Sequence, residues 1–174
     1  IAGRRAFDWT LISETGQRVE SSAKVGFDPD CAFDGVGELD FLFLLSGPNG
    51  SFQAPKSGFS QLRRMARHGV TMGGISGGVF PLARAGLLDA SKISVHWCYK
   101  AAFVAEFPDL EVSDEVIVID QNRYTVSGAT AAFDLMLHLI EQKLGDDVTT
   151  EVACWFQHPL VRGQGVRQKI PTFR

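Results

Sequence analysis

Residues 40–46 read Asp-Phe-Leu-Phe-Leu-Leu-Ser, a short, almost unbroken apolar run. Such a run marks a strand buried on both faces, as in a parallel sheet. Downstream the period changes. Leu62, Met65 and Ala66 recur at helical spacing over residues 59–68, with Arg63, Arg64 and Arg67 on the other side and Gly69 as a stop. This pattern predicts an amphipathic helix with a solvated basic face, and His68 suits its C-terminus. A strand over 70–75 and a helix over 79–88 follow, with Pro81 in the first helical turn, where a missing N–H costs little. A short strand is expected over 93–97 and a helix over 100–106, stopped by Pro108. Two β-rich runs, 116–120 and 123–127, flank Gln121-Asn122 and predict a hairpin.

Residues 129–144 are apolar apart from Thr130, Asp134, His138 and Glu141 until the last turn. They predict a nearly buried helix with one thin polar stripe, either solvated or bridging the core. A last helix is expected over 147–156, capped by Asp146 or Asp147. Towards the N-terminus, 7–13 and 19–25 read as strands around a turn at 14–17. Residues 27–38 and 47–57 read as loops. Residues 1–5 read as the end of a helix rather than a natural start, so the chain is expected to be a fragment. Residues 161–174 are basic and rich in Gly and Gln, and read as a tail or linker. The alternation of strand and helix predicts an α/β layer fold around a mostly parallel sheet. Ligands on such sheets bind outside the carboxyl ends of the strands.

Composition narrows the classes. The chain has 174 residues, 45% hydrophobic and 21% charged, which suits one folded domain. No apolar run reaches the roughly 18 residues a membrane helix needs. A net charge of −3 gives no general attraction for nucleic acid. Cys31, Cys98 and Cys154 are far apart and odd in number, which fits a reducing, cytoplasmic compartment. Cys98 and Cys154 are expected as small buried hydrophobes. His68, His96, His138 and His158 form no metal-binding spacing, so no metal or cofactor is expected.

One segment carries candidate chemistry. Gly74-Ile75-Ser76-Gly77-Gly78 matches the G-x-S-x-G elbow, between a predicted strand and a predicted helix. Ser76 at such a turn projects above the sheet, and the N–H groups of Gly77 and Gly78 are candidates for holding an oxyanion or a carboxylate. The same glycines also suit a plain tight turn. His96 lies at the end of the next predicted strand. If that strand adjoins the elbow strand, His96 falls beside Ser76 and serves as its base. No acid follows until Glu106, so the group that would orient the imidazole is not visible. Trp97 and Tyr99 flank the same strand end, as core residues or as the wall of a cation–π pocket. Asp134 followed by His158 mimics the acid–histidine order of an α/β-hydrolase, although the chain is short for that fold.

The run Gly74–Phe80, then Leu82-Ala83-Arg84-Ala85-Gly86-Leu87-Leu88-Asp89, then His96-Trp97, resembles the class I glutamine amidotransferase-like (ThiJ/PfpI-type) domain of AraC-family transcription regulators. Ser127–Leu135 and the opening residues extend the resemblance over nearly the whole chain. It implies a flavodoxin-like three-layer sandwich, with residues 1–160 as a ligand-sensing domain. It implies that 161–174 lead towards a helix-turn-helix DNA-binding domain, and that the family's first strand and helix precede Ile1. Enzymes of the superfamily place Cys at the elbow and an acid two residues after the histidine; here those positions are Ser76 and Cys98. The resemblance therefore implies a sensor without catalysis, whose pocket is lined by Ser76, Gly77, Gly78, His96, Trp97 and Tyr99. The implied ligand is a small amine with a carboxylate, of the betaine, carnitine or arginine kind, and the implied assembly is a homodimer touching DNA only through the further domain. The alternative is a serine hydrolase or amidase with Ser76 as nucleophile and His96 as base.

Overall fold

A computed structural model describes residues 5–47, 52 and 57–172. The expected helix end at residues 1–4, most of the loop 47–57 and the last two residues lie outside the described part. Four strands form the central sheet. They are β5 (Phe41–Ser46), β6 (Thr71–Ser76), β9 (Ile117–Asp120) and β10 (Arg123–Val126), in the order β5-β6-β10-β9. The first three are mutually parallel, and β9 is antiparallel to β10 through the expected hairpin, with Asp120 opposite Arg123.

Both faces of β5 contribute to the core, through Leu42 and Leu44 on one and Phe43 on the other, but Phe41 and Leu45 stay exposed, so the expected burial of the whole run is met only in part. On one face Leu42 and Met72 pack with Leu62 of α1 (Gly58–Arg67), Val79 and Leu82 of α2 (Val79–Arg84), and Phe103 of α3 (Lys100–Glu106). On the other, Ile75, Tyr124 and Val126 pack with Ala131, Leu135 and Leu139 of α4 (Ala129–Leu144), with Phe43 against them. Helix α5 (Asp146–Trp155) packs on α4. The result is the expected three-layer α/β arrangement around a mostly parallel sheet.

Several expectations are corrected. The strand at 7–13 shrinks to β1 (Ile12–Ser13), which pairs with β4 (Cys31–Ala32) inside the segment expected as loop. The strand at 19–25 is instead a small hairpin of β2 (Val19–Glu20) and β3 (Gly26–Phe27). Helix α2 ends four residues early, because Gly86 turns the chain at φ +68°. The expected strand 93–97 is only β7 (Ile93–Ser94), and its partner is β8 (Val112–Ser113), not β6. Gly145, at φ +88°, stands at the α5 N-cap position, and Asp146 and Asp147 fall in the first turn, where negative charge suits the helix dipole. Cys98 and Cys154 are exposed, not buried.

The segment expected as a tail or linker is hydrogen-bonded to the domain at several points as far as Gln168. Arg162 reaches the fully buried Asp134 on α4 at 2.7 Å, and His158 bonds the same carboxylate at 2.7 Å. The polar stripe of α4 thus bridges the core, and Thr130 accepts a further Arg162 bond. Beyond Arg162, the Ile119 N–H donates to the Gln164 side chain, the Val116 N–H to Val166 O, and the Gln168 N–H to Asp114 O. Residues 164–168 therefore cover the free edge of β9, a common way of protecting a sheet edge.

Glu115 anchors this segment. Its carboxylate takes hydrogen bonds from Lys92, Ser113 and the Gly165 N–H. These partners, Lys92 first and Gly165 next, hold its pKa below the usual carboxylate range. A depressed pKa gives stabilisation that is complete above the unfolded-state value, about 4.3, and is lost as pH falls through the native value. The melting temperature is therefore expected to drop as the pH is lowered below about 4.3. Glu115→Gln should show a shallower drop over the same range in a pH series of thermal melts, and parallel curves would refute the assignment.

Candidate functional site

Strand β6 ends in Ser76, whose φ is +55°. An L-residue in this left-handed region is held at a cost of roughly 1–2 kcal/mol. What holds it is the approach of two backbones. The next residues, Gly77 and Gly78, pass beneath the end of β5. A Cβ on Gly77 would lie 1.8 Å from Gly47 O, and one on Gly78 would lie 1.9 Å from Leu44 O. Only glycine fits at either place. The strand-to-helix elbow read in the sequence is thus a built, strained turn.

The hydroxyl of Ser76 lies 3.5 Å from the Tyr99 hydroxyl, at the outer limit of a hydrogen bond. The rings of Tyr99 and His96 are 5.2 Å apart and tilted by 36°, and those of His96 and Trp97 are 5.5 Å apart and tilted by 33°. Trp97 is 37% exposed, so this row of rings opens to solvent. The structure therefore brings Ser76, His96, Trp97 and Tyr99 into one neighbourhood, although β7 does not adjoin β6. Gly128, at the head of α4, lies beside His96: a Cβ there would stand 3.5 Å from its Cδ2, an ordinary contact.

The chemistry of the cluster differs from that of a catalytic dyad. His96 is not bonded to Ser76. Its Nδ1 faces Cys98 Sγ at 2.9 Å and accepts the Cys98 N–H at 3.3 Å. With Nδ1 accepting, the neutral ring carries its proton on Nε2 and offers a donor there. The amides after Ser76 are also committed. Gly77 N–H donates to Ser46 O at 3.0 Å, and Gly78 N–H donates to Ile75 O at 3.0 Å. The Gly77 and Gly78 amides of the expected anion cradle are therefore bonded to the protein's own carbonyls, Ser46 O at the end of β5 and Ile75 O within the turn itself. Asp134 and His158 do pair, but Arg162 completes that cluster, and neither is bonded to Ser76.

Sequence reasoning missed Gln168. Its Oε1 accepts the Trp97 N–H at 2.9 Å, and its Nε2 donates to Val95 O at 2.8 Å. No local pattern signals a contact across seventy residues. A cavity of about 620 Å³ lies elsewhere, lined by Ile117, Ile119, His138, His158, Arg162 and Gln164 among others, and by none of the elbow residues. Among the described residues no group of His, Cys, Asp and Glu is arranged to hold a metal ion, and no helix is long and apolar enough to cross a membrane.

The model of the DJ-1/PfpI family matches residues 2–142. The chain is 32% identical over 171 residues to the HTH-type transcriptional regulator GbdR of Pseudomonas aeruginosa, covering 98% of this chain and 47% of that protein. It is 34% identical over 164 residues to the HTH-type transcriptional regulator CdhR of the same species, covering 94% and 49%. The chain thus spans about half the length of the curated relatives it matches. Among solved structures, an AraC family transcriptional regulator from Pseudomonas putida superposes with a TM-score of 0.72 at 26% identity, covering 86% of this chain and 81% of that one.

Two outcomes test the elbow. Gly78→Ala is expected to lose about 3 kcal/mol or more in urea unfolding, because backbone must move. Gly35→Ala, where a Cβ meets nothing within 4 Å, should stay within about 0.5 kcal/mol of the parent. Ser76→Gly should match or exceed the parent's melting temperature, since glycine adopts this φ freely. Ser76→Val should lose about 2 kcal/mol. Equal stability of the two Ser76 variants would show that the turn is relaxed.

Proposed function

The chain belongs to the DJ-1/PfpI family, and on that premise we propose that it is the effector-sensing domain of a helix-turn-helix transcription regulator, without catalysis. One observation carries the reading: the Ser76 hydroxyl faces a tyrosine rather than an imidazole, and the His96 Nδ1 faces a thiol rather than a carboxylate. A serine hydroxyl needs a strong base to attack, and this arrangement supplies none. The names and shared lengths of the relatives support the regulator class.

The ligand proposed is a small molecule with a cationic nitrogen and a carboxylate, such as glycine betaine, carnitine or arginine. The Trp97 and Tyr99 faces suit the cation. With the Gly77 and Gly78 amides already bonded, the hydroxyls of Ser76 and Tyr99 and the Nε2 donor of His96 are the groups left to meet a carboxylate. The regulator would act as a homodimer in the cytoplasm and reach DNA through a separate helix-turn-helix domain.

A thermal-shift screen against glycine betaine, carnitine, dimethylglycine and arginine tests this. A ligand at a hundred times its Kd adds about 2.7 kcal/mol to the folded state. One of the four is expected to give a saturable shift. Trp97→Ala should weaken that ligand by about tenfold, the size of a desolvated cation–π contact. No shift from any of them, together with turnover of a generic ester lost in Ser76→Ala, would overturn the reading in favour of a serine hydrolase.

A further inference from the structure

Strand β7 is only two residues long, yet the chain beyond it, Val95 to Tyr99, carries the aromatic wall of the elbow site. Three side-chain contacts hold this stretch and the Ser94 that leads into it. The Ser94 N–H donates to Thr125 Oγ1 at 2.8 Å, and the Ser94 hydroxyl donates to Glu115 O at 2.6 Å. The third is the amide of Gln168, which bonds Val95 O and Trp97 N–H together. Those two groups flank His96, and a neighbouring strand would bond the same pair. Gln168 therefore replaces a missing strand on this side of His96. Its Nε2 also lies 3.3 Å from Glu115 O, and its own N–H is bonded to Asp114 O.

From this geometry we infer that Gln168 is a positioning residue for the elbow site and ties its aromatic wall to the docking of residues 161–168. The inference rests on the reading of the elbow as the binding site. When the segment is undocked, Val95 O and Trp97 N–H lose their partner, and the His96–Trp97 wall loses its fixed direction. A ligand that needs the wall in place must then favour the docked segment. By linkage, undocking the segment must weaken that ligand by the same factor. The segment also carries Gln164, which meets β9, and Arg162, which meets α4. An event at the wall is thereby communicated along some seven residues to the far side of the sheet.

The test is hydrogen exchange on the full chain, read by peptide mass spectrometry. In Gln168→Ala, amides at 95–99 are expected to exchange about tenfold faster, while those at 117–126 keep their protection and report an intact sheet. Gln168→Glu keeps the acceptor for Trp97 N–H, so it should retain more protection at 95–99 than Gln168→Ala. Gln164→Ala loosens the segment away from the wall. It should speed exchange at both 161–168 and 95–99 in the parent, and add nothing at 95–99 when Gln168 is already alanine. Unchanged exchange at 95–99 in Gln168→Ala, or a loosened segment in Gln164→Ala that leaves 95–99 untouched, would overturn the inference.

A second arm uses glycine betaine at saturating concentration. Protection of 161–168 should rise in the parent and not in Gln168→Ala. If betaine raises the melting temperature yet leaves 161–168 unchanged, the coupling is wrong and the elbow reading stands. If betaine gives no thermal shift, that outcome counts against the betaine-type ligand, and the ligand-free comparison alone decides the coupling.

Discussion

The carbonyl oxygens at the end of β5 press against the chain just after Ser76, so closely that no side chain fits at positions 77 or 78. Much of the site's chemistry follows from this contact. The chain must turn sharply there, so Ser76 takes φ +55° and its hydroxyl is lifted towards Tyr99. Ser46 O at the end of β5 takes the Gly77 N–H, and Ile75 O of β6 takes the Gly78 N–H within the turn itself. A turn that looks in sequence like an oxyanion cradle therefore has both amides bonded internally. The central sheet supplies the rigidity. Side chains of β5 and β6 enter the apolar clusters on both faces of the sheet, which backs the elbow.

The opposite wall is built on different terms. Among the described residues no strand pairs with 95–97, where the Gln168 side chain holds Val95 O and Trp97 N–H, while Thr125 of β10 holds Ser94 just before them. Backbone polar groups left without partners away from water are costly, so some substitute is required. A wall held by a few side chains is easier to shift than one held by a ladder of backbone bonds. On the proposed reading, the site pairs a side fixed by backbone at Ser76 with a side held by side chains at His96 and Trp97.

What could be read from the sequence divides along the same line. Strand β5, helices α1 and α4 and the β9–β10 hairpin declared themselves, because each is specified by its own apolar period over several turns or residues. The elbow also declared itself, since four glycines around one serine leave few alternatives. The two-residue strands did not, because β1, β4, β7 and β8 exist through partners distant in the chain rather than through any local pattern. Cys98 and Cys154 were misread for a related reason. Residue type favours burial of cysteine, but Cys98 sits in the solvent-facing wall and Cys154 on the outer face of α5. The C-terminal segment has the composition of a linker, yet Arg162, Gln164 and Gln168 each meet a partner more than twenty residues away. Polar residues that dock on a surface carry no periodic signature.

The two departures from the enzymes that the elbow resembles reinforce each other. A hydroxyl in place of a thiol raises the demand on the base, because the free thiol's pKa of about 8.5 lies far below that of a serine hydroxyl. A thiol at position 98 in place of a carboxylate weakens the base, because the imidazole loses the acceptor that would orient it and stabilise its charged form. On the reading proposed above, the two changes together remove the base that a hydroxyl nucleophile would need. The backbone strain at position 76 nevertheless persists, at a cost a relaxed turn would avoid. On that reading, the strain is explained by how the turn presents Ser76. It sets a hydroxyl at a fixed height above the sheet, facing a row of aromatic rings.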